Sequence, residues 1–147
     1  MITPENKFKT YLKSKKLKFT PEREAILKKV FSLHEHFDVE KLYEKLDKRI
    51  SRATIYRTLS LLVKSKLVEE LFRCQDKISY EYIFGHKHHD HMLCIKCGKI
   101  IEFREEKIEK LQEAVCKKYG FTPVEHRLSI RGYCKECSND LIKKRKI

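Results

Sequence analysis

Two pairs of cysteines constrain the fold of this chain more than any other feature of its sequence. Cys94 is followed by Cys97, and Cys134 by Cys137. Each C-x-x-C pair can hold one ion across a tight turn, and two such pairs complete the tetrahedral sulfur site that zinc prefers. Because four thiolates leave no open coordination position, we predict a structural rather than a catalytic zinc ion. Two disulfides or four unrelated thiols are the alternatives.

The cellular compartment decides between metal-binding thiols and disulfides. The N-terminal segment, residues 1–10, has no apolar run after its charges, so it does not form a secretory signal. No stretch approaches the roughly 18 apolar residues of a membrane-spanning helix. We therefore expect a cytoplasmic protein without a membrane partner, in which paired cysteines are more often metal ligands than disulfides.

The charge of the chain indicates a polyanionic partner. Among 147 residues, Lys and Arg number 34 against 21 Asp and Glu, which gives a net charge of +13. Such an excess suits nucleic acid first and an anionic membrane second, although a solvated basic surface would carry the same charge. The length fits one ordinary domain or two small ones.

Histidines and an aspartate form a second group of metal-binding residue types, at His88-His89-Asp90-His91. If this segment is extended, alternation sends His88 and Asp90 to one side and the other two histidines to the opposite side, so one strand could serve two sites. Nitrogen and carboxylate ligands suit Fe, Mn, Zn, Co or Ni and do not name the metal. Solvated surface residues are the alternative. The further ligands that the chain offers are His34, His36, Glu81, Glu102, Glu109 and His126.

The first half of the chain has the element order of a winged helix. Hydroxyl or carboxylate side chains precede four segments with helical apolar spacing, and Pro opens the first two, as is typical of helix N-termini. Two β-rich segments, 68–73 and 79–84, then predict a hairpin. The four predicted cap residues are Thr3, Thr20, Asp38 and Ser51.

The second half differs in composition from Gly85 onward, and we predict a domain boundary near residues 84–88. Segments 92–97 and 100–103 are predicted to be short strands. Apolar residues at helical spacing between 108 and 119 predict an amphipathic helix that Gly120 ends. Alternation over 122–134 predicts a further strand.

The fourth predicted helix has the outer face of a DNA-recognition helix. Its apolar stripe leaves planar donors, an aromatic ring and small polar residues outward, a combination that suits the major groove. A solvated amphipathic helix is the alternative. Sequence signatures of catalysis, such as G-x-S-x-G, a phosphate loop or H-E-x-x-H, are absent. The outward residues are Arg52, Tyr56, Arg57, Ser60 and Lys64.

With these residues assembled, the chain resembles the ferric uptake regulator family over about residues 8–137. Several motifs occur in the family's order, which makes the resemblance specific. The motifs are Leu17-Lys-Phe-Thr-Pro-Glu-Arg23, Ala53-Thr-Ile-Tyr-Arg-Thr-Leu59, His88-His-Asp-His-Met-Leu-Cys-Ile-Lys-Cys-Gly-Lys-Ile-Ile-Glu-Phe103, and His126 followed by Cys134 and Cys137.

The resemblance implies an α+β fold and a repressor of metal homeostasis genes. It implies an N-terminal winged-helix DNA-binding domain at 1–84, a hinge with metal ligands at 85–91, and a C-terminal α/β dimerisation domain with the four-cysteine zinc site at 92–147. The homodimer would bind a double-stranded DNA operator when a regulatory metal is present. Lys18, Tyr56 and Arg57 match positions that contact DNA in the family.

The resemblance also assigns the metal ligands. The four cysteines match the structural zinc ligands. His34 lies two residues from the matched His36 and could replace it. The regulatory site that bridges the two domains matches His36, Glu81, His89, His91 and Glu102, and a second site within the dimerisation domain matches His88, Asp90, Glu109 and His126.

Glutamates at positions 81 and 102 point to iron(II) as the regulatory metal, with manganese or zinc as alternatives. The peroxide-sensing branch of the family typically has Asp in place of Glu102, and zinc sensors tend to add a cysteine. A peroxide- or zinc-sensing member is thus the alternative within the family, and a metal-dependent hydrolase is the alternative outside it.

One departure from the family pattern is Lys66, where the family usually has Gly. A left-handed Lys costs roughly 1 kcal/mol more than Gly, so this turn could differ.

Overall fold

Four helices and a hairpin make up the N-terminal half of the chain, and short strands alternate with helices in the C-terminal half. The computed structural model describes residues 1–74 and 76–145. It divides into a first unit, Met1–Lys87, and a second that begins at His88, within the segment predicted as a hinge. Residues 146 and 147, at the end of the predicted dimerisation domain, lie outside the described residues. None of the described helices is long and apolar enough to cross a membrane.

The four helices of the first unit begin where the sequence predicts them. In each, the cap side chain accepts a hydrogen bond from the backbone N–H three residues further along. These bonds satisfy donors that have no partner within the helix, which fixes where each helix starts. The helices are α1 (Pro4–Ser14), α2 (Pro21–Ser32), α3 (Val39–Lys45) and α4 (Arg52–Lys64), capped by Thr3, Thr20, Asp38 and Ser51.

The apolar faces of these helices form one core. Ile55, Leu59 and Leu62 of α4 are fully buried at helical spacing, and α4 packs against α2 and α3. Phe8 and Leu12 bury the corresponding face of α1. The apolar stripe of α4 thus lies in the core, and its opposite face is left for solvent or a partner.

A hairpin follows, formed by β1 (Val68–Cys74) and β2 (Lys77–Tyr82). The strands are antiparallel, with an irregularity between Glu70 and Phe72. β2 starts and ends two residues before the predicted 79–84, because its register sets Tyr82 opposite the first residue of β1. A bridge between Phe37 and Tyr80 joins the hairpin to the segment before α3.

The second unit contains a three-stranded sheet and two helices. The central strand, β3 (Asp90–Cys94), pairs antiparallel with β4 (Ile100–Phe103) and parallel with β5 (Ser129–Gly132). Between β4 and β5 lies α5 (Glu106–Lys118), and α6 (Lys135–Arg145) follows the sheet. β3 therefore carries the second half of the His88–His91 run and ends at the first cysteine ligand.

Two predictions for this unit differ from the structure, and one helix was missed. The strand predicted at 92–97 begins at Asp90 and ends at Cys94, because Cys94 and Gly98 close a turn through a 2.9 Å backbone bond. The strand predicted over 122–134 is wrong except at Ser129–Gly132, since the register pairs the first β5 residue with His91 of β3 and β3 extends no further than Asp90. Helix α6 was not predicted from the sequence.

Three helices end in the same way but with different residues. After α1, α4 and α5, the chain turns through a left-handed residue, with φ of 56° at Lys16, 61° at Lys66 and 62° at Gly120. In each turn the next amide donates to a carbonyl five residues earlier, for example Leu67 to Leu62 at 3.0 Å. The turn at Lys66 thus keeps a left-handed backbone despite the lysine.

Apolar burial is sparse in the second unit. Among its described residues, the buried ones are Asp90, His91, Leu93, Cys94 and Cys137. Large apolar side chains are instead exposed. They are Ile95, Ile101, Leu111, Val115, Tyr119, Phe121, Val124, Ile130, Tyr133 and Ile142.

Candidate metal sites and nucleic-acid interface

The four predicted zinc ligands lie together in what we call the thiol cluster: Cys94, Cys97, Cys134 and Cys137. One Sγ atom from each lies within 4.8 Å of all the others. Cys94 ends β3 and Cys97 follows in the turn that Gly98 closes, whereas the other two flank the start of α6. All four are free thiols. Their convergence fits one tetrahedral zinc ion.

The electrostatics of the thiol cluster also suit a cation. Backbone N–H groups of Cys134 and Cys97 donate to Cys94 and lower the pKa of its thiol to about 6. Burial, together with the neighbouring sulfurs, raises the pKa of Cys137 to about 12. Neighbouring negative charges disfavour one another, so the four thiols cannot all ionise unless a cation is bound among them. Lys96 ties this turn to α6 through Asp140 at 3.2 Å.

A second group of donors, which we call the His88 cluster, consists of His88, Asp90, Glu109 and His126. Each contributes an N or O atom within 4.8 Å of the others. His88 Nε2 lies 3.2 Å from Asp90 Oδ1 and 3.6 Å from Glu109 Oε1, and His126 Nε2 lies 3.3 Å from Glu109 Oε2. The cluster thus joins β3, α5 and the segment before β5.

The atoms of the His88 cluster fit a metal ion. The side chain of Asp90 is fully buried. Both of its oxygens, Glu109 Oε1 and His126 Nε2 are buried and have no hydrogen-bond partner among the residues that the structure describes. Buried polar atoms without partners are costly, and converging lone pairs are what a divalent ion satisfies. Nitrogen and oxygen donors suit zinc, iron or manganese.

His89, just before β3, and His91 within it lie on the side opposite His88 and Asp90, as alternation predicts. The rings of His89 and His91 are 4.8 Å apart, and His89 Nε2 lies 3.7 Å from Glu102 Oε1. Glu102 of β4 is the register partner of His91. We call these three residues the His89 set. The predicted separation of the run into two faces is confirmed.

The first unit holds the remaining predicted regulatory ligands. His36 Nε2 lies 3.7 Å from Glu81 Oε1, and we call these two residues the His36 pair. The bridge between Phe37 and Tyr80, each one residue away in the chain, brings them together. His34 is exposed. His36, rather than its alternative, therefore faces the carboxylate.

The predicted DNA-contacting residues differ in how they are held. Tyr56 and Arg57 are exposed on α4, and Lys18 is exposed between α1 and α2. Arg52 is not free in the same way: its Nε and Nη2 donate to the two oxygens of Glu40 at 2.7 and 3.0 Å. Its guanidinium carbon also lies 3.8 Å from the ring centroid of Tyr43. Sequence reasoning missed these two partners, because both belong to the preceding helix, α3.

Comparison with known proteins shows the family of this chain. The sequence model of the ferric uptake regulator family matches residues 14–131. The chain is 36% identical over 142 residues to the ferric uptake regulation protein of Campylobacter jejuni, covering 93% of this chain and 90% of that protein. It is 32% identical over 127 residues to the peroxide-responsive repressor PerR of Staphylococcus epidermidis, covering 84% and 83%.

A solved structure shares the fold over most of the chain. The Helicobacter pylori ferric uptake regulator Fur, whose structure reveals three functional metal binding sites, is similar with a TM-score of 0.77. The two chains are 31% identical, and the alignment covers 93% of this chain and 95% of that one.

Proposed function

The chain belongs to the ferric uptake regulator family of metal-dependent transcriptional repressors, and from that membership we propose an iron(II)-responsive repressor that binds operator DNA as a homodimer. We further propose that it acts in the cytoplasm on genes of metal homeostasis. Manganese(II) or zinc(II) are the alternatives to iron(II) as the regulatory metal.

One observation carries the proposal: each unit contains its own group of nitrogen and carboxylate donors. The His36 pair belongs to the first unit and the His89 set to the second. Neither group alone offers the complete coordination of a transition metal, whereas together they provide three histidines and two carboxylates. We propose that they form one regulatory site. The residues would be His36, Glu81, His89, His91 and Glu102.

The proposed mechanism follows from donors on two units. A divalent metal, when bound, would supply a positive charge that attracts the lone pairs of imidazole and carboxylate donors together. His36 and Glu81 can ligate it together with the His89 set only in a limited range of arrangements of the two units. The ligand residues therefore favour those arrangements, and this differential affinity is what allows metal to change DNA affinity.

Two further sites have supporting roles in the proposal. The thiol cluster is proposed to hold structural zinc through Cys94, Cys97, Cys134 and Cys137, because it is closed and sulfur-only. The His88 cluster is proposed as a second metal site within the dimerisation domain, and it tunes the response rather than switching it. All its donors come from one unit, so occupancy does not by itself link the two.

DNA contact is proposed through the exposed face of α4 and the segment before α2. Tyr56 can place its ring against a thymine methyl, and Arg57 can reach a base edge or a phosphate. Lys18 is proposed to meet the backbone or a narrow AT-rich minor groove. The exposure of these three side chains supports the assignment.

A DNA-binding titration tests the proposal. We would measure affinity for an AT-rich palindromic operator against increasing Fe(II), Mn(II) and Zn(II), without oxygen. Fe(II) should raise the affinity of the parent protein strongly, and His36→Ala and His89→Ala should abolish that increase. His88→Ala and His126→Ala should only weaken it.

The matched control is His34→Ala, which removes an exposed histidine two residues from His36. It should respond to metal as the parent does. Full activation by metal in His89→Ala would refute the ranking of the two sites, and a parent protein indifferent to every metal would refute the function itself.

Peroxide sensing is the second candidate, and the similarity to the Staphylococcus repressor favours it. Glu102 argues against it, because the peroxide-sensing branch typically has Asp there. We expect the iron-loaded protein to be slow to inactivate by peroxide, and Glu102→Asp to accelerate inactivation. Mass spectrometry would decide: rapid oxidation of His36 or His91 in the unaltered protein would place it in the peroxide-sensing branch. No hydrolase activity is proposed, since the named relatives are regulators.

A further inference from the structure

Arg52 is the first residue of α4, the proposed recognition helix, and its guanidinium already forms an ion pair. It lies one helical turn before Tyr56, and residues four apart share a helix face. Yet its guanidinium makes a two-pronged ion pair with Glu40 of α3, at 2.7 and 3.0 Å. Both side chains are about half exposed, at 50% and 48%. A ligand approaching that face therefore meets the pair.

The surroundings of Glu40 have the composition of an anion site. Arg52 rests on the ring of Tyr43 at 3.8 Å, and Lys48 Nζ lies 4.3 Å from the same ring centroid. Lys48 is held there by a 2.8 Å bond to the Tyr43 carbonyl. The pKa of Glu40 is lowered, chiefly because Arg52 donates to it, with smaller contributions from the charges of Lys77 and Lys48.

Cations from three segments thus act on one carboxylate, which Arg52 contacts directly and the other two influence through their charge. They come from α4, from the loop before it and from β2 of the hairpin. A carboxylate with two oxygens facing an arginine fork has the geometry that a phosphate also offers, because arginine binds both groups through two parallel bonds. Stacking on Tyr43 keeps the guanidinium oriented whichever anion it meets.

We propose that Arg52 binds a phosphate of the DNA backbone, and that Glu40 takes the place of that phosphate in the free protein. The proposal rests on the proposed function and adds a backbone contact held by α3 and α4. Arg52 is in this view a positioning contact and not a reader of bases. Glu40 lowers affinity for every sequence equally, because the ion pair must open before the phosphate binds.

The exchange is energetically accessible. Half-exposed ion pairs contribute little to stability, so Glu40 releases Arg52 at small cost. A phosphate contact in turn releases condensed counterions from DNA, which gives each contact a slope of about −0.9 in log affinity against log salt. The salt dependence of binding therefore reports whether Arg52 reaches the backbone.

The test measures affinity for an operator duplex and a scrambled duplex of equal length, at several salt concentrations. Arg52→Ala should weaken binding to both duplexes alike and flatten the salt slope by about one. Glu40→Gln should tighten binding to both by about two- to five-fold. In the double variant that gain should vanish, because without Arg52 there is no pair to open.

Glu24→Gln is the matched control. It removes one carboxylate from another exposed ion pair of the first unit, Glu24 with Lys28 on α2. An equal gain from this control would mean that Glu40 acts only through net charge, and would overturn the proposal. Loss of operator preference in Arg52→Ala with an unchanged salt slope would mean that Arg52 reads bases. Weaker DNA binding by Glu40→Gln would mean that the ion pair holds the structure of the binding face. Either result also overturns the proposal.

Failure of the proposed function is distinguishable from failure of this inference. If metal gives the parent protein no preference for the operator, the regulatory proposal fails. Binding to the scrambled duplex depends on charge and not on the metal response. The scrambled duplex therefore still measures the contribution of Arg52.

Discussion

The first unit buries an apolar face of every one of its helices, whereas the second buries little besides ligand side chains. Phe8, Ile26, Leu42 and Leu59 come from four different helices and are all fully buried. In the second unit, Leu93 is the single buried aliphatic residue among those described. Burial of apolar surface is the main driving force of folding, at about 25 cal/mol per Å². The first unit can thus fold by burial, and we propose that the second needs both metal and a second copy of the chain.

Because of this contrast, different changes should destabilise the two units. Small domains without a sufficient core are commonly held by a metal or by assembly. The two units should therefore respond independently to changes in the core, in the thiol cluster and in the exposed apolar face. Substitutions in each of these places, and at the helix ends, test that independence.

The largest effect is expected from Cys137→Ser, which removes one of the four sulfurs of the thiol cluster. Structural zinc contributes on the order of 10 kcal/mol to folding, so the second unit should lose zinc and unfold. The first unit should stay folded. Zinc analysis together with hydrogen exchange resolved by residue would measure both.

Cys116→Ser provides the control, because this half-buried cysteine of α5 lies outside the thiol cluster. It should keep about one zinc per chain, as a closed four-thiolate site holds. If Cys137→Ser also keeps its full zinc content, these thiols are not the zinc ligands.

The converse effect is expected from Leu59→Ala in the core of the first unit. Truncating a fully buried leucine typically destabilises a domain by about 2–5 kcal/mol. Calorimetry should show the first unit melting earlier, while the zinc content and the exchange rates of the second unit stay unchanged. Ser60→Ala, at the exposed neighbouring position, should change little. Joint unfolding of both units by Leu59→Ala would contradict their independence.

A smaller effect is expected where the second copy is proposed to bind. Leu111, Val115 and Tyr119 lie at helical spacing along α5 and its C-cap and are 65%, 55% and 75% exposed. If a partner covers this face, Val115→Asp should weaken the dimer by at least about 2 kcal/mol, or roughly 30-fold. Sedimentation at several concentrations would measure it. Glu113→Asp, an exposed position of the same helix, should leave the assembly as it is.

The smallest effects are expected at the helix ends. Lys66 has a φ of 61° after α4, so Lys66→Gly should stabilise the first unit by about 0.5–1 kcal/mol. Gly120→Lys should destabilise the second unit by a similar amount through the backbone alone, because an added Cβ meets no atom within 4 Å. Ser60→Gly, in the interior of α4, should instead destabilise by roughly 0.5 kcal/mol. Thermal unfolding of the three variants would decide, and a loss of stability in Lys66→Gly would contradict the argument from strain.

Local signals predicted much of this molecule. The caps at Thr3 and Ser51 and the two faces of the His88–His91 run depend on neighbours in the chain, and both predictions are confirmed. The strand prediction over 122–134 failed outside Ser129–Gly132, because alternation makes a strand only where a partner strand exists. Helix α6 was missed because its sequence is polar with a weak apolar stripe.

Contacts between distant segments were the least predictable from the sequence. The pair of Glu40 and Arg52 spans 12 residues and two helices, and no periodicity in the chain reveals it. By contrast, the His36 pair was expected from family resemblance, and the structure places its two side chains 3.7 Å apart. Resemblance supplied what local pattern could not.

The strand β3 also limits how this sequence can change in length. His88 and Asp90 serve one cluster, His89 and His91 face the other way, and Cys94 follows at the end of the same strand. Inserting or deleting one residue here would exchange the two faces, because side chains alternate along a strand. No single substitution could repair that. Related sequences that retain these ligands should therefore vary in length at 121–125, which has no strand partner and precedes His126, and keep 88–94 constant.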